Sequence, residues 1–138
     1  MKYVLDSSVA LKTVLPEADS ARALLLIADF KNGVHELLAP DVFPIETGHA
    51  LTRAERQARI SPPGGWRLWQ SIMTDCPALH SSLPLMPRAF DLSSKFRIGV
   101  YDALYVSLAE QEQCSLVTAD DRLVRTMQGF PIVSLATM

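Results

Sequence analysis

Short apolar runs recur along the chain, each bounded by turn residues or by a segment with helical spacing. Runs of this length, rich in Val, Leu and Ile, are typical of strands that are buried on both faces of a sheet. The clearest are Tyr3-Val4-Leu5 and Leu116-Val117-Thr118. We predict strands over Met1–Leu5, Leu37–Ala39, Leu79–Leu83, Ser115–Thr118 and Ile132–Leu135, of which Leu79–Leu83 is the weakest.

Between these runs, apolar residues recur at the spacing of an amphipathic helix. In Glu17–Phe30, for example, Leu24 and Ala28 lie on one face, and Asn32-Gly33 provides the C-cap. Ser7 and Ser8 are N-cap candidates for a short first helix. Helices are predicted up to Val14, over Glu17–Phe30, over Asp41–Arg59, from Ser61-Pro62 through Met73, and over Pro87–Phe96, Asp102–Gln111 and Asp121–Met127.

This alternation of strands and helices predicts the fold class. It favours an α/β fold in which a mainly parallel sheet of four to five short strands is covered by helices on both faces. The 138 residues correspond to a single domain, 1–138, and the 49% hydrophobic content is sufficient for a proper core. No repeat, linker or low-complexity tract is evident in the sequence.

Composition narrows the possible functions. A net charge of −2 does not favour binding of nucleic acid by bulk electrostatics, so such binding would need a local basic patch or bridging metal ions. Cys76, Cys114 and the three histidines lack the spacing of zinc ligands, and we expect reduced cysteines. Met1-Lys2 leads directly into a strand and the longest apolar run, Ala23–Ala28, is too short to cross a bilayer. We therefore expect a cytoplasmic protein without membrane contact.

Four carboxylates stand where four separate segments can bring them together: Asp6, Glu46, Asp102 and Asp120. Asp6 and Asp120 each follow a predicted strand, and in an open parallel sheet sites form beyond the carboxyl ends of the strands. Acidic groups on buried elements are costly to desolvate without compensation, and no single Lys or Arg lies beside each of them. A divalent cation would compensate several of these charges at once and create a catalytic site.

The residues alone leave alternatives open. Any one of these acids could serve only as a helix cap. Asp121 directly follows Asp120, and although the position after Thr118-Ala119 favours Asp120, the sequence does not decide which of the two faces a metal. Two other functions compete. A phosphotransfer enzyme with Asp6 as nucleophile is disfavoured because Ser8 stands where a haloacid-dehalogenase-type site has a second Asp. A non-catalytic interaction module is disfavoured because all four acids are present.

The residues around the acids carry a more specific signal. Four motifs occur in the order Tyr3-Val4-Leu5-Asp6-Ser7-Ser8, Pro44-Ile45-Glu46, Tyr101-Asp102-Ala103-Leu104-Tyr105-Val106 and Leu116-Val117-Thr118-Ala119-Asp120. Over essentially the whole chain this pattern resembles the PIN-domain family, in particular the VapC-type toxins of bacterial toxin–antitoxin pairs. The resemblance implies an α/β/α fold and an endoribonuclease that depends on Mg²⁺, with Mn²⁺ as a possible substitute. It also implies RNA as substrate, a homodimer, and inhibition by a DNA-binding, VapB-like antitoxin encoded beside it.

The resemblance also assigns roles to single residues. The family's four acidic residues correspond to Asp6, Glu46, Asp102 and Asp120. We expect all four to be catalytic and to bind the metal, Asp6 and Asp102 most tightly. Ser7 matches a small hydroxyl residue that often supports the site. His49 stands where the family often has Asn, so a hydrogen bond near the site would have to come from the imidazole.

Several basic residues are candidates for contact with phosphate, namely Lys12, Arg53, Arg56, Arg59, Lys95 and Arg97. The three arginines that follow Glu46 form either a phosphate-steering edge or a solvated helix face with Glu55 as ion-pair partner. Lys12 points either to the rim of the site or into solvent, and the sequence does not decide between them.

A partner chain is expected on an apolar surface. Leu24, Leu25 and Leu26 are consecutive, so they cannot all face one core, and at least one is left for a neighbour. The groove between the predicted helices Glu17–Phe30 and Asp41–Arg59 is the candidate site for an antitoxin peptide. The helix that carries Trp66 has a further surplus apolar face.

Overall fold

The computed structural model describes the whole chain, Met1 to Met138, and consists of alternating strands and helices. The strands are β1 (Lys2–Leu5), β2 (Glu36–Pro40), β3 (Ala78–His80), β4 (Ser115–Thr118) and β5 (Ile132–Ser134). The helices are α1 (Ser7–Lys12), α2 (Ser20–Lys31), α3 (Phe43–Arg56), α4 (Gly64–Thr74), α5 (Met86–Phe96), α6 (Val100–Gln111) and α7 (Asp121–Thr126). Single 3-10 turns at Leu83–Leu85 and Leu135–Thr137 complete the secondary structure.

All five strands belong to one sheet in the order β3-β2-β1-β4-β5, and every neighbouring pair is parallel. In the central strand β1, Val4 lies opposite Leu38 of β2 on one side and Leu116 of β4 on the other. Val4 and Leu116 are fully buried. Because parallel strands require crossover connections, the helices between them cover the sheet. The predicted α/β fold with a mainly parallel sheet is confirmed.

The most deeply buried helix is α6. Every residue from Ala103 to Ala109 is buried, and the helix packs against β1, β2 and β4. The apolar residues of α6 are distributed around the whole helix and do not form one stripe, as expected for a helix that is enclosed by other elements. Asp102 lies in the first turn of this helix, so its backbone is held in place by the buried turns that follow.

Apolar side chains of α2 are left uncovered, as predicted, but the helix buries the face of Ala23 and Leu26 and exposes the predicted apolar face with Leu24 and Ala28. Leu24 and Leu25 of α2 are exposed, whereas Leu26 is buried in the core. On α4, Trp66 is exposed and stacks on Trp69, with the ring centroids 5.2 Å apart. The chain therefore presents apolar side chains on two helices without covering them itself.

Some boundaries differ from the predictions for local reasons. α2 begins at Ser20 and not at Glu17, because Asp19 has a left-handed backbone (φ 67°) that a helix cannot continue through. The weak strand predicted over Leu79–Leu83 is shorter and begins earlier: β3 covers Ala78–His80, and a 3-10 turn follows at Leu83–Leu85. Cys76 and Cys114 are free thiols, as predicted. No helix combines the length and the apolar character that crossing a bilayer would require.

Candidate active site

Two neighbouring strands deliver two of the four acids to the same edge of the sheet. Asp6 follows β1 and Asp120 lies two residues beyond the end of β4, and each is the N-cap residue of the helix that comes next. Leu5 is paired with Val117, and the backbone N–H of Asp6 donates to the carbonyl of Val117 at 3.0 Å. Because β1 and β4 run in parallel, their carboxyl ends bring these acids together, as the sequence predicted.

The Asp6 carboxylate is buried and held by two hydroxyl groups. Oδ2 accepts hydrogen bonds from Ser8 Oγ at 2.6 Å and from Thr118 Oγ1 at 2.7 Å. Both of these hydroxyls also accept a backbone N–H, Ser8 Oγ from Ala119 at 3.1 Å and Thr118 Oγ1 from Asp120 at 3.0 Å. The carboxylate is thus fixed in orientation by Oδ2, which leaves Oδ1 as the oxygen for another ligand.

Burial makes the charge on Asp6 costly. It raises the pKa of Asp6 above its usual range, and the hydrogen bonds from Ser8 and Thr118 offset only part of this rise. The negative charge of Asp120 acts in the same direction as burial and raises the pKa of Asp6 further. The two hydroxyls therefore position this carboxylate, but no positive charge of the protein neutralises it.

Glu46 lies in the first turn of α3, and one of its oxygens lacks any partner. Oε1 is buried and forms no hydrogen bond. The hydroxyl of Tyr105 on α6 is close enough to lower the pKa of Glu46, yet the two groups do not reach hydrogen-bond geometry, and the Tyr105 hydroxyl is itself buried and unpartnered. Burial is the largest effect, and together with the charges of Asp6 and Asp102 it raises the pKa of Glu46 to about 7.

Asp102 completes the set from the N-terminal turn of α6. Burial, followed by the charges of Asp6 and Asp120, raises its pKa to about 6. None of the ion pairs in the chain includes Asp102 or any of the other three acids. The four carboxylates therefore repel one another across a partly buried edge that contains no compensating cation.

The donor set fits a hard divalent cation. Carboxylate oxygens are the ligands that Mg²⁺ and Mn²⁺ prefer, and Asp6 Oδ1 and the buried Glu46 Oε1 are both available. The side chains do not converge on one point, since no three acidic, His or Cys side chains already form a ligand cluster. Coordination would require the other carboxylates to approach Asp6, whose orientation is fixed by Ser8 and Thr118.

The two adjacent acids after β4 differ in their contacts. Asp120 Oδ1 accepts the backbone N–H of Leu123 at 3.2 Å, and its charge acts on both Asp6 and Asp102. Asp121 Oδ1 instead accepts the hydroxyl of Ser134 in β5 at 3.2 Å. The geometry therefore associates Asp120 with the acidic cluster and Asp121 with the edge strand.

Sequence reasoning misjudged the residues that support the acids. The hydroxyl that holds Asp6 belongs to Ser8, where the resemblance pointed to Ser7, and the contribution of Thr118 was not foreseen. The side chain of His49 is exposed and forms no hydrogen bond, so it does not support Glu46. The one available signal for Thr118 was its place at the end of a strand that pairs with β1.

Several of the basic residues are already engaged. Lys12 and Arg59 both pair with Glu17, at 3.3 and 3.2 Å, so Lys12 does not extend freely into solvent. Glu55 pairs with none of the α3 arginines; it accepts the backbone N–H of Gly65 at 3.0 Å. The interpretation of Glu55 as their ion-pair partner is therefore wrong.

The fold and this acidic edge define the class of protein. Residues 3–127 match the family model described as PIN domain, and the chain belongs to the PIN-domain family. Its relatives in that family include VapC ribonucleases, which confirms the resemblance seen in the motifs. The chain is 31% identical to VapC ribonuclease Mb0985 of Mycobacterium bovis over 126 residues, which cover 91% of each protein. It is 29% identical to ribonuclease VapC3 of Pyrobaculum aerophilum over 133 residues, 95% of this chain and 96% of that protein.

Solved structures share the same architecture. PAE2754 from Pyrobaculum aerophilum has a TM-score of 0.74 at 20% identity, over 99% of this chain and 85% of that one. VapBC2 from Rickettsia felis, bound to a DNA fragment from its promoter, has a TM-score of 0.65 at 15% identity, over 97% of this chain and 98% of that one. At such low identities, these similarities establish the fold alone.

Proposed function

We propose that the protein is a Mg²⁺-dependent endoribonuclease and the toxin of a toxin–antitoxin pair. The observation that carries the proposal is the acidic edge, where four segments bring together carboxylates that no Lys or Arg neutralises. Such an edge is stable only when a cation or protons compensate it. RNA as substrate is supported by the relatives that are named VapC ribonucleases.

The residues that would hold the ion are those with free oxygens. Asp6 and Asp102 are the proposed tightest ligands, while Glu46 and Asp120 complete the site directly or through water. A bound Mg²⁺ or Mn²⁺ would neutralise charge on the scissile phosphate and lower the pKa of a water molecule, so that the 2′-hydroxyl is not required as nucleophile. The chemistry is then hydrolysis of a phosphodiester bond.

The chain's own groups have distinct tasks in this reaction. Ser8 and Thr118 hold Asp6 in one orientation, which keeps its free oxygen directed at the ligand. Glu46, whose buried Oε1 has no hydrogen-bond partner, can accept a proton from the attacking water. Asp120 binds the N-terminus of α7 through Oδ1, which leaves its other oxygen for the site.

RNA cleavage with two matched variants tests the proposal. The purified chain should cut RNA in Mg²⁺ or Mn²⁺, and both EDTA and Asp6→Asn should abolish cleavage. Asp121→Asn is the control, because Asp121 is next to Asp120 in the chain but accepts a hydrogen bond from Ser134. The Asp121→Asn protein should retain most of the activity. Cleavage that survives both EDTA and Asp6→Asn would refute the assignment. A phosphorylated Asp6 would favour the phosphotransfer alternative, and metal binding without cleavage would favour the non-catalytic module.

The same proposal includes a protein partner on α2. A cleft of about 210 Å³ lies between α1, α2 and α4, with Leu24 and Ile27 on its wall and the buried Phe43 beneath. The exposed Leu24 on its wall is suited to contact with the apolar side chains of an antitoxin, and related folds include a toxin–antitoxin complex from Klebsiella pneumoniae. Co-expression with the product of the adjacent gene should yield a stable complex that no longer cleaves RNA. The free chain should be a homodimer by light scattering, with a mass about twice 15.2 kDa.

A further inference from the structure

Two clefts meet at the acidic edge, and Asp120 lines both. One, of about 530 Å³, lies along α1 and α3; its polar lining includes Ser8, Lys12, His49, Arg53, Arg59 and Asp120. The other, of about 340 Å³, lies between the start of α6 and α7; its polar lining includes Arg97, Asp102, Asp120, Arg122 and Thr126. We call these the α3 cleft and the α7 cleft. Because Ser8 holds Asp6 and lines the first, while Asp102 lines the second, the carboxylates stand between them.

Each cleft contains arginine that no carboxylate neutralises. In the α3 cleft, Arg53 is exposed and forms no ion pair, whereas Lys12 and Arg59 share Glu17. In the α7 cleft, Arg97 and Arg122 are exposed and neither takes part in an ion pair. Free guanidinium groups therefore lie on both sides of an acidic site, in a protein whose net charge is −2.

The backbone conformation at Arg97 determines how its role can be tested. Arg97 is the C-cap residue of α5 and has a left-handed backbone, φ 57° and ψ 41°. Glycine is the usual residue at such a position, and a residue with a Cβ there lowers stability. Ala58 and Gln113 have similar backbone angles after α3 and α6, so this conformation does not itself indicate a function, but it allows the charge of Arg97 to be removed without loss of stability.

We propose that an RNA strand crosses the carboxylates with its phosphates bound in both clefts, by Arg53 on one side of the scissile phosphate and by Arg97 and Arg122 on the other. This inference rests on the proposed ribonuclease function and specifies how the substrate is held. Four carboxylates repel the phosphates next to the one being cut, and the net charge of the protein gives no attraction. Arginine at these places supplies the missing attraction, and its planar guanidinium matches phosphate oxygens in pairs.

The chain provides a matched control on each helix. Arg56 lies one turn beyond Arg53 on α3; it is exposed, lines neither cleft, and hydrogen-bonds Thr52 instead. Arg125 lies one turn beyond Arg122 on α7 and is likewise exposed and outside both clefts. Replacement of a cleft arginine and of its control removes the same charge from the same helix. Only the position relative to the clefts differs.

Binding of a short RNA oligonucleotide by fluorescence anisotropy tests the proposal without requiring cleavage. It is measured in Mg²⁺ on the Asp102→Asn protein, in which the RNA should stay intact, over a series of salt concentrations. Arg53→Gln and Arg122→Gln should each weaken binding about tenfold and reduce the slope of log affinity against log salt by about 0.7. Arg56→Gln and Arg125→Gln should leave both quantities nearly unchanged. Equal effects of cleft and control variants, or no RNA binding at all, would overturn the inference.

Arg97→Gly separates a binding role from a structural one. The substitution removes the charge and suits the left-handed backbone, so the melting temperature should rise while RNA affinity falls about tenfold. A variant that melts higher and binds RNA as before would contradict the role of Arg97. Since the variant is expected to be the more stable one, lost affinity could not be attributed to unfolding.

Neutral linkages in the RNA locate the phosphates. An oligonucleotide with one methylphosphonate beside the scissile linkage should bind about tenfold more weakly to the parent protein. If Arg53 contacts that phosphate, the RNA affinity of Arg53→Gln should be the same with and without the methylphosphonate. A methylphosphonate on the opposite side of the scissile linkage should likewise leave the RNA affinity of Arg122→Gln unchanged. Sensitivity of both variants to the same linkage would refute a strand that spans both clefts. If the otherwise unaltered protein cuts no RNA but these binding patterns hold, the ribonuclease proposal fails, whereas the proposal that an RNA strand binds across both clefts is retained.

Discussion

Removal of the Asp102 charge should stabilise the metal-free protein, and more so as the pH rises. Burial and the charges of Asp6 and Asp120 raise the pKa of Asp102 from 3.8 to about 6 in the folded state. Between these two values the folded chain holds a proton that the unfolded chain has released. The native state therefore loses stability as the pH increases from about 4 to about 7, and Asp102→Asn should escape this loss.

The structure sets the size of the effect. The two pKa values differ by an amount that corresponds to about 3 kcal/mol, at about 1.4 kcal/mol for each factor of ten in the ionisation constant. Asp102 is only half-buried, and solvent screens part of the repulsion from its neighbours. We therefore expect the advantage of Asp102→Asn in free energy of unfolding to grow by about 1–2 kcal/mol between about pH 4.5 and pH 7.5.

Urea unfolding in EDTA measures this advantage directly. Asp91→Asn is the control, because Asp91 is an exposed carboxylate on α5 outside the acidic edge, and it should gain nothing with pH. Addition of Mg²⁺ at about pH 7.5 should stabilise the unaltered protein more than Asp102→Asn, because the ion needs the carboxylate. A gain that does not depend on pH would show that the Asp102 charge is not repelled in the folded state, and equal stabilisation of both proteins by Mg²⁺ would show that the ion does not need this carboxylate.

Three further outcomes follow from the same structure. Thr118→Val removes the hydroxyl that holds Asp6 and should lower the free energy of unfolding by about 1–3 kcal/mol, with loss of activity, whereas Thr118→Ser should retain both in urea titration and RNA cleavage. Glu46→Gln should lower kcat by about 10²–10⁴-fold at saturating Mg²⁺, because the amide cannot accept a proton; a kcat that the substitution leaves unchanged would contradict the role of Glu46 as base. The double variant Leu24→Gln, Leu25→Gln should change the free energy of unfolding by about 0.5 kcal/mol or less but should weaken binding of the adjacent gene's product. Leu26→Ala, in the core, should instead lower the free energy of unfolding by about 2–5 kcal/mol. Unchanged capture would show that the partner binds elsewhere.

The sequence predicted the fold well because strands buried on both faces leave a strong local pattern. The runs that became β1 and β4 are continuous apolar segments, and α6 is apolar enough to be recognised without neighbours. Helix starts were less predictable, since they depend on single backbone angles. The left-handed conformation of Asp19, for example, shortens α2 and follows from packing, not from the identity of the residue.

The acids of the site were predictable for a related reason. In a parallel sheet the residues that follow the strands share one edge, so Asp6 and Asp120 could be assigned to the same edge from the predicted strands, although the pairing of β1 with β4 could not be predicted. The hydroxyls could not, because the contact of Thr118 with Asp6 depends on the register that pairs Leu5 with Val117. The same limit applies to Arg122, whose position in the α7 cleft depends on how α7 packs beside the start of α6.

The shared metal site is tested most directly by anomalous diffraction from crystals soaked in Mn²⁺. We expect an anomalous peak within coordination distance of carboxylate oxygens of both Asp6 and Asp102, and loss of that peak in Asp6→Asn crystals. A Mn²⁺ ion bound only at another place, or no anomalous peak at the acidic edge at saturating Mn²⁺, would contradict a metal site shared by these carboxylates.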